Sequence, residues 1–136
     1  VGIKEASPDP QRLTELKSRI EDESFLFYSG DDLTAFKFLS EGGHGIISVT
    51  ANVVPEKISN ICNLAIEGDF KEAQEIDSEL TDLHEVLFIE TSPIPVKWIL
   101  NKLGRIPLGI RLPLTVLDKQ YIPEIELILN KLGLTN

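Results

Sequence analysis

Short apolar runs alternate with stretches of helical periodicity through the first part of the chain. Val1 to Lys4 is a brief apolar run that ends in Glu5-Ala6-Ser7-Pro8. Pro8 and Pro10 punctuate a loop, where Asp9 is set to cap a helix with Pro10 at its first position. Leu13, Leu16 and Ile20 follow at helical spacing. Phe25 to Tyr28 reads as a second strand, closed by Ser29-Gly30. A second helix is expected from Asp31 or Asp32, with Leu33, Phe36 and Leu39 facing inward. Gly42-Gly43-His44-Gly45 ends it, and Ile46 to Val49 reads as a third strand. Brief apolar strands that alternate with helices predict βα units and a parallel sheet covered on both faces.

After Asn52 the period changes. Pro55 opens a helix with Ile58, Ile61, Cys62 and Ala65 on one stripe, closed near Gly68. A longer helix is expected to carry Ala73, Ile76, Leu80, Leu83 and Leu87. Pro93 and Pro95 break the chain before a helix from Val96 to Leu103, which Gly104 closes. A Pro-rich connection runs from Ile106 to Leu114, and Pro123 to Leu132 forms a last helix closed by Gly133. The second half therefore reads as all helix.

Composition narrows the class of protein. Of 136 residues, 42% are hydrophobic and 26% charged, which suits a packed core and argues against disorder. The net charge of −9 and a pI near 4.7 repel phosphate backbones, so no nucleic-acid partner is expected. No apolar run approaches the length of a bilayer span, and no signal peptide opens the chain. Cys62 is the only cysteine, which excludes an internal disulfide and a cysteine zinc cluster. A cytoplasmic protein without membrane contact is the expectation. There is no methionine, and the first strand begins at Val1. This reads as a chain whose beginning lies elsewhere.

Lys4 is the sharpest chemical signal. It ends a strand expected to be covered on both faces, where a lysine needs a partner or a function. Burial favours the neutral amine that a Schiff base requires. In a parallel βα barrel the carboxyl ends of the strands carry the active site. The plainer reading is that Lys4 pairs with Glu5 or Asp31. Gly30 and Asp31 end the second strand: the glycine admits a ligand close to the backbone, or the two simply make a strand-to-helix turn capped by Asp31. The third strand ends in Ile47-Ser48-Val49-Thr50, so its carbonyls and the Ser48 and Thr50 hydroxyls are expected at the same mouth.

Other residues read as structural. Gly42-Gly43-His44-Gly45 follows a helix and precedes a strand, the reverse of a dinucleotide fingerprint, so His44 is assigned a structural role. His84 is expected to be a solvated surface side chain, and the acidic run from Glu67 to Asp82 a solvated helical face. Trp98 and Cys62 are expected in the core. No metal and no cofactor are called for.

Gly2-Ile3-Lys4-Glu5-Ala6 resembles the dihydrodipicolinate synthase / N-acetylneuraminate lyase family. The similarity continues through Ser29-Gly30-Asp31-Asp32 and Gly42 to Asn52, then Pro93 to Trp98 and Arg111-Leu112-Pro113-Leu114. The ordered set covers nearly the whole chain. The resemblance implies the carboxyl-terminal part of a (βα)8 TIM barrel, strands six to eight, followed by a helical domain. Residues 1–68 would hold the last βα units with the last barrel helix, and residues 69–136 the helical domain.

It also implies chemistry. Lys4 would form an imine with pyruvate, Ile47 would contact the keto acid through its carbonyl, and Gly30 and Asp31 would line the second-substrate side. The reaction implied is a lyase-type condensation of pyruvate with aspartate semialdehyde in lysine biosynthesis by the diaminopimelate route. The proton-relay tyrosines and threonine and the carboxylate-binding arginine of the family would belong to a missing N-terminal half. Sialic acid lyases of the family usually carry Asp-Glu where this chain has Asp31-Asp32, which favours the synthase side. Two alternatives stay open: a sialic acid or keto-deoxy sugar acid lyase, and an inert half-barrel that serves assembly. Family members are usually homotetramers, and the segments Pro10 to Asp22 and Asp32 to Glu41 are expected to meet another subunit.

Overall fold

The computed structural model describes residues 1–9 and 11–135. Three strands lie in chain order in one parallel sheet: β1 (Gly2–Glu5), β2 (Leu26–Ser29) and β3 (Gly45–Ile46). The helices are α1 (Arg12–Arg19), α2 (Ala35–Ser40), α3 (Pro55–Glu67), α4 (Phe70–Glu79), α5 (Thr81–Val86), α6 (Ile94–Lys102) and α7 (Ile122–Lys131). The alternating βα order expected from the sequence is therefore present, and the described residues after β3 contain no strand.

One unit runs from Val1 to Glu79. Its sheet is covered on one face by a cluster of Leu13, Phe27 and Phe38, with Ile3, Leu16, Ile20 and Phe25 around it. Ile3 and Phe27 are register partners and point to the same side, because side chains alternate along a strand. Burying each such apolar side chain stabilises the fold by about 1.5–3 kcal/mol. Glu5 ties β1 to α1: its carboxylate accepts the Ser7 N–H at 2.8 Å and pairs with Arg12 Nε at 3.4 Å. α3 starts with Pro55 in its first turn and stops at Gly68, whose φ of 87° suits a glycine.

Several expectations shift. Asp9 Oδ1 accepts the Gln11 N–H at 2.9 Å, and α1 begins at Arg12. The expected place of Pro10 in the first turn lies outside the described residues. α2 begins at Ala35, not at Asp31 or Asp32, because both aspartates are engaged in the loop before it. Its buried residues are Ala35, Phe38 and Leu39, while Leu33 is exposed and Phe36 only half-buried. The third strand stops at Ile46, and Val49 already has helical angles ahead of a 3₁₀ turn over Thr50–Asn52.

The second unit is Leu80–Asn136. α4 packs against α3 and so belongs to the first compact unit. The long helix expected through Leu87 is interrupted at Leu80. Helical phase restarts there, which corrects the expectation for His84: it is only 2% exposed, while Asp82 and Glu85 face out. Trp98 is half-buried in α6, with Lys102 Nζ 5.9 Å from its ring centroid. Leu83, Leu87, Ile99, Ile125 and Leu129 are fully buried. The Ser92-Pro93 and Leu112-Pro113 peptides are cis. No helix among the described residues is long and apolar enough to cross a membrane.

Candidate functional site

Parallel pairing in one register brings the carboxyl ends of three strands side by side. Lys4 pairs with Tyr28, Glu5 with Ser29, and Ser29 with Ile46. The ladder runs one step further: Gly30 N–H donates to the Glu5 carbonyl at 2.7 Å, and Ile47 N–H to the Ser29 carbonyl at 2.8 Å. Lys4, Gly30, Asp31 and Ile47 therefore occupy one end of one sheet. Lys4, Tyr28, Gly30, Gly45 and Ile47 follow from strand alternation as residues of the face turned away from α1 and α2.

Two glycines shape that face. A Cβ on Gly30 would overlap Cε of Lys4 and would lie 2.9 Å from Lys4 Cγ and 2.8 Å from Ala6 Cβ. The Lys4 side chain thus lies across Gly30. A Cβ on Gly45 would lie 2.9 Å from Cε1 and 3.0 Å from Cδ1 of Tyr28, so the tyrosine ring lies across Gly45 in the same way. Lys4 leans onto the glycine that follows β2, and Tyr28 onto the first glycine of β3.

The surrounding polar groups have other partners. Asp31 Oδ2 accepts the Thr34 N–H at 3.1 Å and its hydroxyl at 2.7 Å, which holds the turn before α2. Ser29, almost fully buried, donates from Oγ to the Asp31 carbonyl at 3.1 Å and accepts the Asp31 N–H at 3.3 Å. Glu5 faces Ser7 and Arg12. That backbone N–H of Ser7, before its hydroxyl and the Arg12 guanidinium, holds the Glu5 carboxyl below its usual range against the opposing effect of burial. Neither Glu5 nor Asp31 is bonded to Lys4, so the ion-pair reading of the lysine does not hold.

Lys4 itself is exposed, whereas a strand covered on both faces was expected. The reason is local: β1 is an edge strand, and among the described residues nothing covers the face that carries Lys4, Leu26 and Ile47. Ile47 is 49% exposed. The hydroxyls expected at this mouth turn elsewhere. Ser48 Oγ accepts the Ala51 N–H at 2.8 Å, and Thr50 is fully buried.

Sequence reasoning offered Asp32 as a helix start and half of an acidic pair, but gave it no part in the site. Its carboxyl is 2% exposed, and Oδ2 accepts the N–H groups of Val49 at 2.9 Å and Thr50 at 3.0 Å. The available signal was the pair of adjacent acids after a strand, since two neighbours cannot both cap one helix.

At the opposite end of β3, His44 Nδ1 accepts the Phe27 N–H at 3.0 Å and stacks on the Phe27 ring at 5.9 Å, a structural role as expected. Cys62 is half-buried, and burial pushes its thiol up, away from the reactive thiolate. Among the described residues, no group of three or more His, Cys, Asp or Glu is placed to hold a metal ion.

Parallel βα units with a lysine at one strand end and Gly-Asp at the next are the layout of an α/β-barrel enzyme segment. The chain belongs to the dihydrodipicolinate synthetase family, whose profile matches residues 1–132. It is 48% identical over 136 residues to a 4-hydroxy-tetrahydrodipicolinate synthase of Idiomarina loihiensis, covering 100% of this chain and 46% of that protein. It is 52% identical over 118 residues to the enzyme of that name from Pseudomonas aeruginosa, covering 87% of this chain and 40% of that protein.

Solved structures agree. The chloride-inhibited dihydrodipicolinate synthase from Acinetobacter baumannii, complexed with pyruvate, superposes with a TM-score of 0.94 at 41% identity over 99% of this chain and 46% of that one. The dihydrodipicolinate synthase of Thermotoga maritima gives 0.95 at 36% identity, over 99% and 46% respectively. The chain thus spans less than half the length of these relatives and matches their carboxyl-terminal part.

Proposed function

We propose that this chain is the carboxyl-terminal part of a 4-hydroxy-tetrahydrodipicolinate synthase, a class I aldolase-type lyase of lysine biosynthesis. The observation that carries the reading is Lys4 at the end of β1, lying across Gly30 at the end of the next strand. In this reading β1, β2 and β3 are barrel strands six, seven and eight. Residues 1–68 are the last βα units, and residues 69–136 are the helical domain. The enzyme acts in the cytoplasm as a homotetramer, through surfaces that include Pro10 to Asp22 and Asp32 to Glu41. It needs no cofactor, and its relay groups come from the rest of the barrel.

The chemistry follows from a lysine nucleophile. The neutral Lys4 amine adds to the ketone carbon of pyruvate, and loss of water leaves an imine. The imine draws electrons from the adjacent methyl group, which gives up a proton to form an enamine. That carbon then attacks the aldehyde carbon of aspartate semialdehyde. Ile47 offers its carbonyl to the keto acid, while Gly30 and Asp31 line the side from which the aldehyde arrives. The similarity to 4-hydroxy-tetrahydrodipicolinate synthases and the pyruvate complex of the Acinetobacter baumannii enzyme support this reaction.

The test is borohydride trapping with pyruvate in the complete enzyme, followed by peptide mass spectrometry. An adduct on Lys4 is expected. An adduct on Lys37 or Lys97, or none, overturns the reading. Aspartate semialdehyde consumption measured against sialic acid cleavage separates the synthase from a sugar-acid lyase. An enzyme that does neither is an assembly module.

A further inference from the structure

We propose that Asp32 is a positioning residue for pyruvate binding, acting through the backbone that carries the Ile47 carbonyl. The proposal rests on the synthase reading above.

Asp32 sits in the β2–α2 loop and reaches across to the segment after β3. Its Oδ2 holds two successive backbone N–H groups, Val49 at 2.9 Å and Thr50 at 3.0 Å. On the other side, the Ile47 N–H is fixed to the Ser29 carbonyl at 2.8 Å. The Ile47 carbonyl lies between these anchors along the chain. With the Ile47 N–H and the Val49 N–H both tied, the peptide between them has little freedom to rotate. Ser48 Oγ closes the same turn by accepting the Ala51 N–H at 2.8 Å.

Packing alone does not account for an aspartate here. The side chain is 2% exposed, and Oδ1 is buried without a partner among the described residues. An apolar residue of similar size would avoid that cost, since a buried polar atom left unbonded is destabilising. What an apolar residue cannot do is hold the Val49 and Thr50 amides. The neighbouring Asp31 is committed to Thr34, so the two adjacent acids divide the work: Asp31 shapes the loop before α2, and Asp32 shapes the end of β3.

The experiment measures pyruvate and aspartate semialdehyde kinetics of the complete enzyme, with Asp32→Ala, Asp32→Asn and Asp32→Glu variants. Asp32→Ala leaves two amides unbonded and lets the turn relax, so the pyruvate KM is expected to rise by about tenfold or more. The aldehyde KM changes by less than about threefold, because Gly30 and Asp31 are untouched. Asp32→Asn keeps an acceptor oxygen for both amides and restores most of the pyruvate affinity. Asp32→Glu keeps the carboxyl but displaces the turn, so it behaves like Asp32→Ala and serves if that variant does not fold.

A purely structural role would lower yield or stability and leave the ratio of the two KM values unchanged. Variants with an unchanged pyruvate KM, or with both KM values raised alike, overturn the assignment while leaving the synthase reading intact. A wild-type enzyme that traps no pyruvate overturns both.

Discussion

The Lys4 side chain lies across Gly30 on the neighbouring strand, with no room for a Cβ between its methylenes and Ala6. The Gly30→Ala variant puts a methyl group where Lys4 Cε now lies. A lysine tip can swing aside, so the expected stability loss is modest, about 1–3 kcal/mol. The amine, however, must move with it, and a misplacement of this size can lower the rate about 10²-fold. Single-turnover borohydride trapping in the complete enzyme, beside a urea titration, separates the two effects. An Ala variant that traps pyruvate at the wild-type rate would show that Gly30 does not aim the lysine.

Lys4→Arg is expected to abolish trapping. Guanidinium stays protonated and cannot attack a carbonyl. Because Lys4 is bonded to neither Glu5 nor Asp31, the substitution breaks no ion pair with either, and folding should be little changed. Residual covalent labelling in this variant would locate the nucleophile elsewhere.

Tyr28 and Gly45 form the second such pair, and their coupling can be measured. Gly45→Ala is expected to destabilise the complete enzyme by about 1–3 kcal/mol, because its Cβ would meet the Tyr28 ring at 2.9 Å. In a Tyr28→Leu background the same change should cost less, with a coupling of about 0.5–3 kcal/mol. Strict additivity in chemical denaturation would mean that the ring moves away freely.

Glu5 gives stability a pH dependence with a definite sign. Its carboxyl is held below the usual range, first by the Ser7 N–H, so folding favours the ionised form. The contribution is present above the ordinary glutamate value of about 4.3 and is lost as pH falls through the lower folded value. Urea midpoints of the wild type and Glu5→Gln should therefore differ at pH 6 and converge as pH falls below the ordinary glutamate range. Midpoints that keep a constant separation down to pH 3 would remove Glu5 from the account.

Much of this architecture is legible in the sequence, for local reasons. Pro55 and Gly68 mark the ends of α3 through fixed φ and a left-handed cap, which need no tertiary information. The three βα units show because apolar runs and helical spacing alternate. What the sequence does not reveal depends on partners far along the chain. Val49 reads as strand by composition, but the Asp32 carboxyl turns it into a 3₁₀ approach. His84 reads as surface on one continuous helix, and a break at Leu80 rotates it inward. Phe38 replaces Phe36 in the core because α2 starts at Ala35, after the Asp31–Thr34 turn. Strand ends can thus be located from sequence, whereas side-chain bonds across the β2–β3 connection cannot.

Residues 1–136 expressed alone are expected to give no synthase turnover. Among the described residues the sheet has only three strands, so β1 and β3 are both edges. Unpaired edges promote association. A barrel core is assembled from layers contributed around the full circle, which three strands cannot supply. The face that carries Lys4 also displays Leu26 at 38% exposure and Ile47 at 49%, so water reaches every group of the proposed site. Imine formation is disfavoured where water competes, and proton transfer by positioned groups, worth about 10²–10⁴-fold, has no source in these residues. The two losses act in the same direction. The measurement is steady-state consumption of pyruvate and aspartate semialdehyde by the purified chain, with intact-mass analysis confirming that no other polypeptide is present. Turnover comparable to a complete family enzyme would mean that this segment carries its own relay, and Tyr28, in register with Lys4 on the same face, would be the first residue to replace.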